Sequence, residues 1–265
     1  MRSAMIPLAL LLVACGGSAP KETVSKTEVV PVWESDVENT AYEFYRSVSK
    51  TLLRTNQPRR ALKTISKMMR QRPKEAEPVY LMARAYLELD DVASARRSLN
   101  RVIELDDKYA PAHALLGMSF DMTGEHAAAV PHHKAAIELD PDDASYLNNL
   151  GFCYYLMRDY RRAVIFYRKA VAKDPGVHRI HNNLGFALAR QGKMSQALTS
   201  FKLAGVPAQA YNNMGFVHEE RGELERAYNY YLQALELDPV LMQARRNLER
   251  VCAVLGRPIP QLEAQ

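Results

Sequence analysis

Between Tyr42 and Leu241 small, bulky and polar positions recur in one arrangement about every 34 residues, and each copy reads as a helix-turn-helix unit. Gly117, Gly151 and Gly185 are 34 residues apart, and Gly215 follows after 30. An alanine stands about half-way through every copy, at Ala61, Ala95, Ala129, Ala163, Ala197 and Ala227. Seven residues later comes a second small or medium column: Met68, Val102, Ala136, Ala170, Ala204 and Ala234. Seven residues are two helical turns, so the two columns share a face of the second helix. Small residues there admit a close approach to the first helix, whose facing surface is assigned to Ser49, Ala83, Gly117, Gly151, Gly185 and Gly215. Tyr86, Phe120, Tyr154 and Leu188, then Leu99, Tyr167, Phe201 and Tyr231, fill the rest of the seam. Pro73, Pro141, Pro175 and Pro239 close their repeats, because proline ends a helix.

The stretch YLNNLGFCYYLMRDYRRAVIFYRKAVAKDP, Tyr146 to Pro175, carries all of these columns and resembles the tetratricopeptide repeat. The resemblance implies an all-α fold, a right-handed superhelical solenoid whose first helices line a concave groove. Six repeats are placed at 42–75, 76–109, 110–143, 144–177, 178–207 and 208–241, and a polar cap helix near 242–255 opens a C-terminal segment, 242–265. The fifth repeat lacks four residues, so AGVPAQA is expected to shorten its second helix and tighten the connection. Pro131 is expected to bend or break the second helix of the third.

The beginning of the chain has a different pattern. Met1 and Arg2 precede nine apolar residues, Met5 to Val13, too few for a membrane span, which needs roughly 20. Leu12-Val13-Ala14-Cys15 resembles the lipobox of bacterial lipoproteins, which implies a signal peptide at 1–14 and acylation of Cys15. Gly16 resembles the class sorted to the outer membrane, so the chain is expected to be lipid-anchored on its periplasmic face. Residues 15–41 lack helical periodicity and read as a tether. The apolar run at Val29 to Trp33 either packs on the first repeat or docks on a partner.

Composition changes this picture little. A net charge of +5 is a moderate excess, and arginine pairs such as Arg59-Arg60 and Arg161-Arg162 fall at the starts of second helices, on faces expected to be solvated. Cys153 and Cys252, about three repeats apart, are expected to be buried thiols too distant for a disulfide. His113, His126, His132 and His133 cluster in the third repeat without completing a metal-ligand spacing, and no metal or other cofactor is expected. No phosphate-cradling glycine loop, nucleophile elbow or His-Glu-x-x-His is present, so the chain is read as no enzyme, with neither nucleic acid nor a small-molecule substrate as partner.

Recognition by the groove remains. Asn148-Asn149, Asn182-Asn183 and Asn212-Asn213 recur at one place in three successive first helices. An amide both donates to and accepts from a peptide group. The second of each pair resembles the asparagine ladder of peptide-gripping tetratricopeptide superhelices; alternatively these amides only bond a neighbouring helix. Phe152, Phe186 and Phe216, with Met118 one repeat earlier, stand one turn from the asparagines and predict an apolar strip flanked by amides. Arg190, Glu219 and Glu220 add charges suited to selecting a ligand. A lipobox, short tether and six repeats resemble the lipoproteins of surface-appendage systems, either of Tad pilus assembly, through the run AGVPAQAYNNMGFVHEERGELERAYNYYLQALELDP, or the pilotins of type IV pili. Both imply capture of a secretin or another pilus or secretion component. The alternative is a general periplasmic adaptor recruiting peptidoglycan hydrolases or other envelope enzymes.

Overall fold

The computed structural model describes residues 35–260, with side chains from Asn39 onward. Cys15, the apolar run before it and Trp33 lie outside the described residues. Within them the chain is all α, thirteen helices with no strand: α1 (Ser35–Arg54), α2 (Pro58–Gln71), α3 (Ala76–Glu88), α4 (Val92–Leu105), α5 (Ala110–Met122), α6 (His126–Leu139), α7 (Ala144–Leu156), α8 (Tyr160–Lys173), α9 (His178–Arg190), α10 (Met194–Leu203), α11 (Pro207–Glu220), α12 (Leu224–Leu237) and α13 (Met242–Leu255). None of the described helices is long and apolar enough to cross a membrane. Two compact units divide the chain, one through Glu125 and one from His126, so the two helices of the third expected repeat fall in different units.

The half-way alanines are all completely buried. What comes nearest to the glycines is an aromatic ring of the second helix. A Cβ at Gly151 would stand 2.8 Å from the Tyr167 ring, one at Gly185 2.5 Å from Phe201, and one at Gly215 2.5 Å from Tyr231. Each glycine is thus a socket for the ring sixteen residues later, and the ring's size is what excludes a side chain from the first helix. In the first unit a buried hydroxyl occupies the matching place: Ser49 Oγ lies 2.6 Å from Thr64 Oγ1 and 3.7 Å from Met68 Sδ.

The turn inside each hairpin uses one left-handed residue. Asn56, Asp90, Gly124, Arg158, Gly192 and Gly222 all have φ between 53° and 81°, and they keep the spacing of the repeat. Asp91 and Asp159 follow two of these turns and cap the second helices, accepting from Ser94 N at 3.0 Å and Arg162 N at 2.9 Å. At the far end the chain needs a second left-handed residue only in the short fifth repeat. There α10 stops at Leu203 after ten residues, Gly205 takes φ 94°, and α11 starts at Pro207.

Two expectations are corrected. The helix of the first repeat starts at Ser35, inside the expected tether, because no proline or glycine interrupts the chain between Ser35 and Arg54. Pro131 does not break α6, which runs through it from His126 to Leu139. It is the sixth residue of the helix and is exposed, and its missing N–H removes one bond of the helix ladder. Cys153 and Cys252 are buried thiols, and burial pushes the Cys252 thiol upward from its ordinary pKa.

Candidate functional site

The candidate residues of the second unit lie on its first helices α7, α9 and α11, with α13 in the equivalent place at the end. Asparagine amides join neighbours in this row. Asn183 Nδ2 donates to Asn148 Oδ1 at 2.9 Å, Asn213 Nδ2 to Asn182 Oδ1 at 3.2 Å, and Asn247 Nδ2 to Asn212 Oδ1 at 3.0 Å. The rule is constant: the second asparagine of one repeat donates to the first asparagine of the repeat before. Asn148, Asn212 and Asn213 are buried, so these three are struts between helices rather than contact residues on an open groove. Gln209 Nε2 also donates to Asn213 Oδ1 at 3.0 Å. Asn149, Asn182 and Asn183 are half-buried and border the surface. A primary amide offers two N–H groups and two acceptor positions, so a rung with one internal bond keeps capacity for a peptide group.

Phe152, Phe186 and Phe216 are each half-buried, and Phe152 and Phe186 rest on the unit's core. Phe186 meets Phe201 edge-on, with centroids 4.9 Å apart, and Phe216 at 6.3 Å. Phe152 stacks with Tyr155 at 6.3 Å. The outer faces of these rings form an apolar surface beside the amide row, and the inner faces of Phe152 and Phe186 hold the core. Met118 belongs to the first unit, half-buried on α5 against that unit's core.

The charged candidates are paired with each other or with the end helix. Arg190 Nη2 donates to Glu220 at 2.8 Å, and its Nε to Tyr155 Oη at 3.4 Å. Glu219 receives Arg250 through Nε at 2.6 Å and Nη2 at 2.8 Å, and the Tyr231 hydroxyl at 2.6 Å. Burial opposes ionisation of Glu219, but the bonds from Arg250 and Tyr231 outweigh it and hold the carboxyl below its ordinary range. Burial, then the bond to that carboxylate, pushes the Tyr231 phenol upward. Glu223 is held at about 2 by Arg221, with His218 and Arg226 adding to the effect.

Three residues that the sequence reading passed over belong to this face: Tyr155, Asn247 and Arg250. Asn247 stands 34 residues after Asn213, a signal present in the sequence, and Tyr155 is one turn beyond Phe152. Pairing across about 30 residues, as between Arg250 and Glu219, leaves no local mark.

Family models of the tetratricopeptide repeat match residues 52–118, 144–177 and 208–239, together half of the chain. No curated protein matches the chain significantly. Among solved structures, MamA from residue 41 to its end, of Desulfovibrio magneticus RS-1, is 25% identical with a TM-score of 0.55, over 64% of this chain and 96% of that one. YrrB, a tetratricopeptide-repeat protein with an unusual peptide-binding site, is 18% identical with a TM-score of 0.53, over 70% and 97%. PilF of Pseudomonas aeruginosa is 14% identical with a TM-score of 0.64, over 81% and 99%. The likeness to YrrB and PilF is one of fold.

Proposed function

This chain belongs to the tetratricopeptide-repeat proteins, scaffolds that bind peptides and proteins, and on that premise we propose that it holds an extended partner segment on the first-helix face of α7, α9 and α11. The observation that carries the reading is the amide row beside the ring row: Asn149, Asn182 and Asn183 next to Phe152, Phe186 and Phe216. The amides suit a peptide backbone and the rings suit apolar side chains, so a segment alternating apolar and polar residues is the expected ligand. The Arg190–Glu220 pair at its edge, with both side chains partly exposed, gives the face one charge of each sign. In the same reading Cys15 is acylated and keeps the chain at the periplasmic face of the outer membrane, where the captured segment belongs to a secretin or another component of a pilus or secretion apparatus.

The binding part is tested with peptides selected by display against the full chain. Phe216→Ser and Asn183→Ala should each weaken the selected peptides about tenfold while far-UV circular dichroism stays unchanged; unchanged affinity for both variants overturns the assignment of the face. The cellular part is tested by Cys15→Ala, which should move the protein out of the outer-membrane fraction and stop appendage assembly. Persistence in that fraction contradicts the anchor, and crosslinking to cell-wall hydrolases instead of appendage components contradicts the machine.

A further inference from the structure

Residues 50–74 hold nine lysines and arginines and no aspartate or glutamate, a run of positive charge unmatched elsewhere in the chain. Most of it lies on α2. Arg59, Arg60, Lys63, Lys67 and Arg70 are all exposed. At 100° per residue these five fall within roughly 100° of arc, and Arg59 to Arg70 spans about 16 Å of helix. They form one stripe, opposite the buried Ala61, Ile65 and Met68.

The stripe is uncompensated. Arg60 reaches only the neutral amide of Gln57, at 2.6 Å, and Lys67 lies over the Tyr45 ring at 4.9 Å. Among the described residues none of the five has an ion pair. Other second helices differ: Arg96 of α4 pairs with Glu125, Arg101 with Glu104, Arg162 of α8 with Asp159 and Lys173 with Asp142. Five like charges side by side repel one another, and an anionic surface laid along them relieves that repulsion.

The stripe also has a definite place in the chain. Its Arg70 end lies beside the start of α1, where Arg72 covers the Tyr42 ring at 4.0 Å and donates to Asn39 at 2.5 Å. Only twenty residues separate Cys15 from Ser35, which limits their separation to roughly 70 Å.

We propose that the exposed basic stripe of α2 rests on an anionic phospholipid surface, the one to which Cys15 attaches the chain. The proposal rests on the anchor reading for its occupant: a surface held within reach at all times makes up for weak individual contacts. A free phosphate engages one or two cations, whereas a lipid surface presents phosphates along the whole stripe.

The test uses the full chain carrying Cys15→Ala, so that no acyl chain contributes, and vesicles of phosphatidylethanolamine and phosphatidylglycerol at 3:1. Binding should fall steeply as salt is raised and should be at least tenfold weaker on pure phosphatidylcholine. Arg59→Gln, Lys63→Gln and Arg70→Gln together should lower it at least tenfold with the melting temperature unchanged, whereas Arg59→Lys with Arg70→Lys should retain it. Equal binding to neutral vesicles, or binding indifferent to the glutamines, overturns the proposal, as does capture of an acidic protein by a stripe that ignores the vesicles. Whether Cys15 is acylated is read separately, by mass spectrometry of the native protein. A negative result there removes the anchor without changing the vesicle measurement.

Discussion

In the first unit the first-helix face is charged: Arg46 and Lys50 of α1 both reach Glu77 of α3, at 2.6 and 2.8 Å. In the second unit the positions equivalent to Arg46 and Lys50 are asparagines and phenylalanines of α7, α9 and α11. The cores differ in the same sense. Ser49 and Ala83 share theirs with Ile65 and Leu99, whereas Gly151, Gly185 and Gly215 receive rings. One hairpin therefore accepts two solutions of similar volume, a small side chain against an aliphatic one or none against an aromatic one. The aromatic solution also carries a buried hydroxyl across the hairpin where the ring is a tyrosine, as Tyr231 shows by donating to Glu219. The face proposed for recognition lies on the helices that use it.

The largest effect that separates the units is expected from Tyr231→Ala. It empties a socket, strips a bond from Glu219 and should cost about 3–5 kcal/mol in denaturant unfolding followed by circular dichroism. Gly185→Ala comes next, at about 1–3 kcal/mol, since its Cβ would overlap Phe201. Adding Phe201→Leu converts the pair into the Ala83/Leu99 type and should abolish the cost of the alanine. Purely additive effects in that double-mutant cycle would break the comparison of the two cores.

A smaller loss, about 1 kcal/mol, is expected from Asn247→Ala, which removes the last amide rung. Hydrogen exchange should quicken in α13 and leave α1–α5 unaffected. The smallest effect concerns acid. The Glu223 carboxyl is lowered from its ordinary 4.5 to about 2, so its contribution is complete above pH 4.5 and is lost as pH falls toward 2. Glu223→Gln should flatten the pH dependence of melting in that window; an unchanged profile would remove Glu223 from the account.

Much of the fold was legible in the sequence because sterics write it directly. A completely buried alanine in a close helix contact tolerates nothing larger, so six alanines announce six hairpins. The glycine column was equally visible, but its partner was not: which residue fills a missing side chain depends on how two helices cross. The start of α1 was missed because the repeat register begins at Tyr42, while a helix continues until something stops it. At the candidate site the asparagines and phenylalanines could be read from spacing alone. Their division into buried struts and surface residues could not, because it depends on which helix each amide faces. For the same reason Arg190, Glu219 and Glu220 could be read as charges on this face, while the partner each has on another helix could not.

The central claim, that a partner segment lies along the first helices of the second unit, is tested most directly by hydrogen–deuterium exchange of the full chain with and without a selected peptide. Protection confined to α7, α9 and α11, and lost with Phe216→Ser, is the predicted result. Protection of second helices or of α1–α5, with those three helices unchanged, would contradict it.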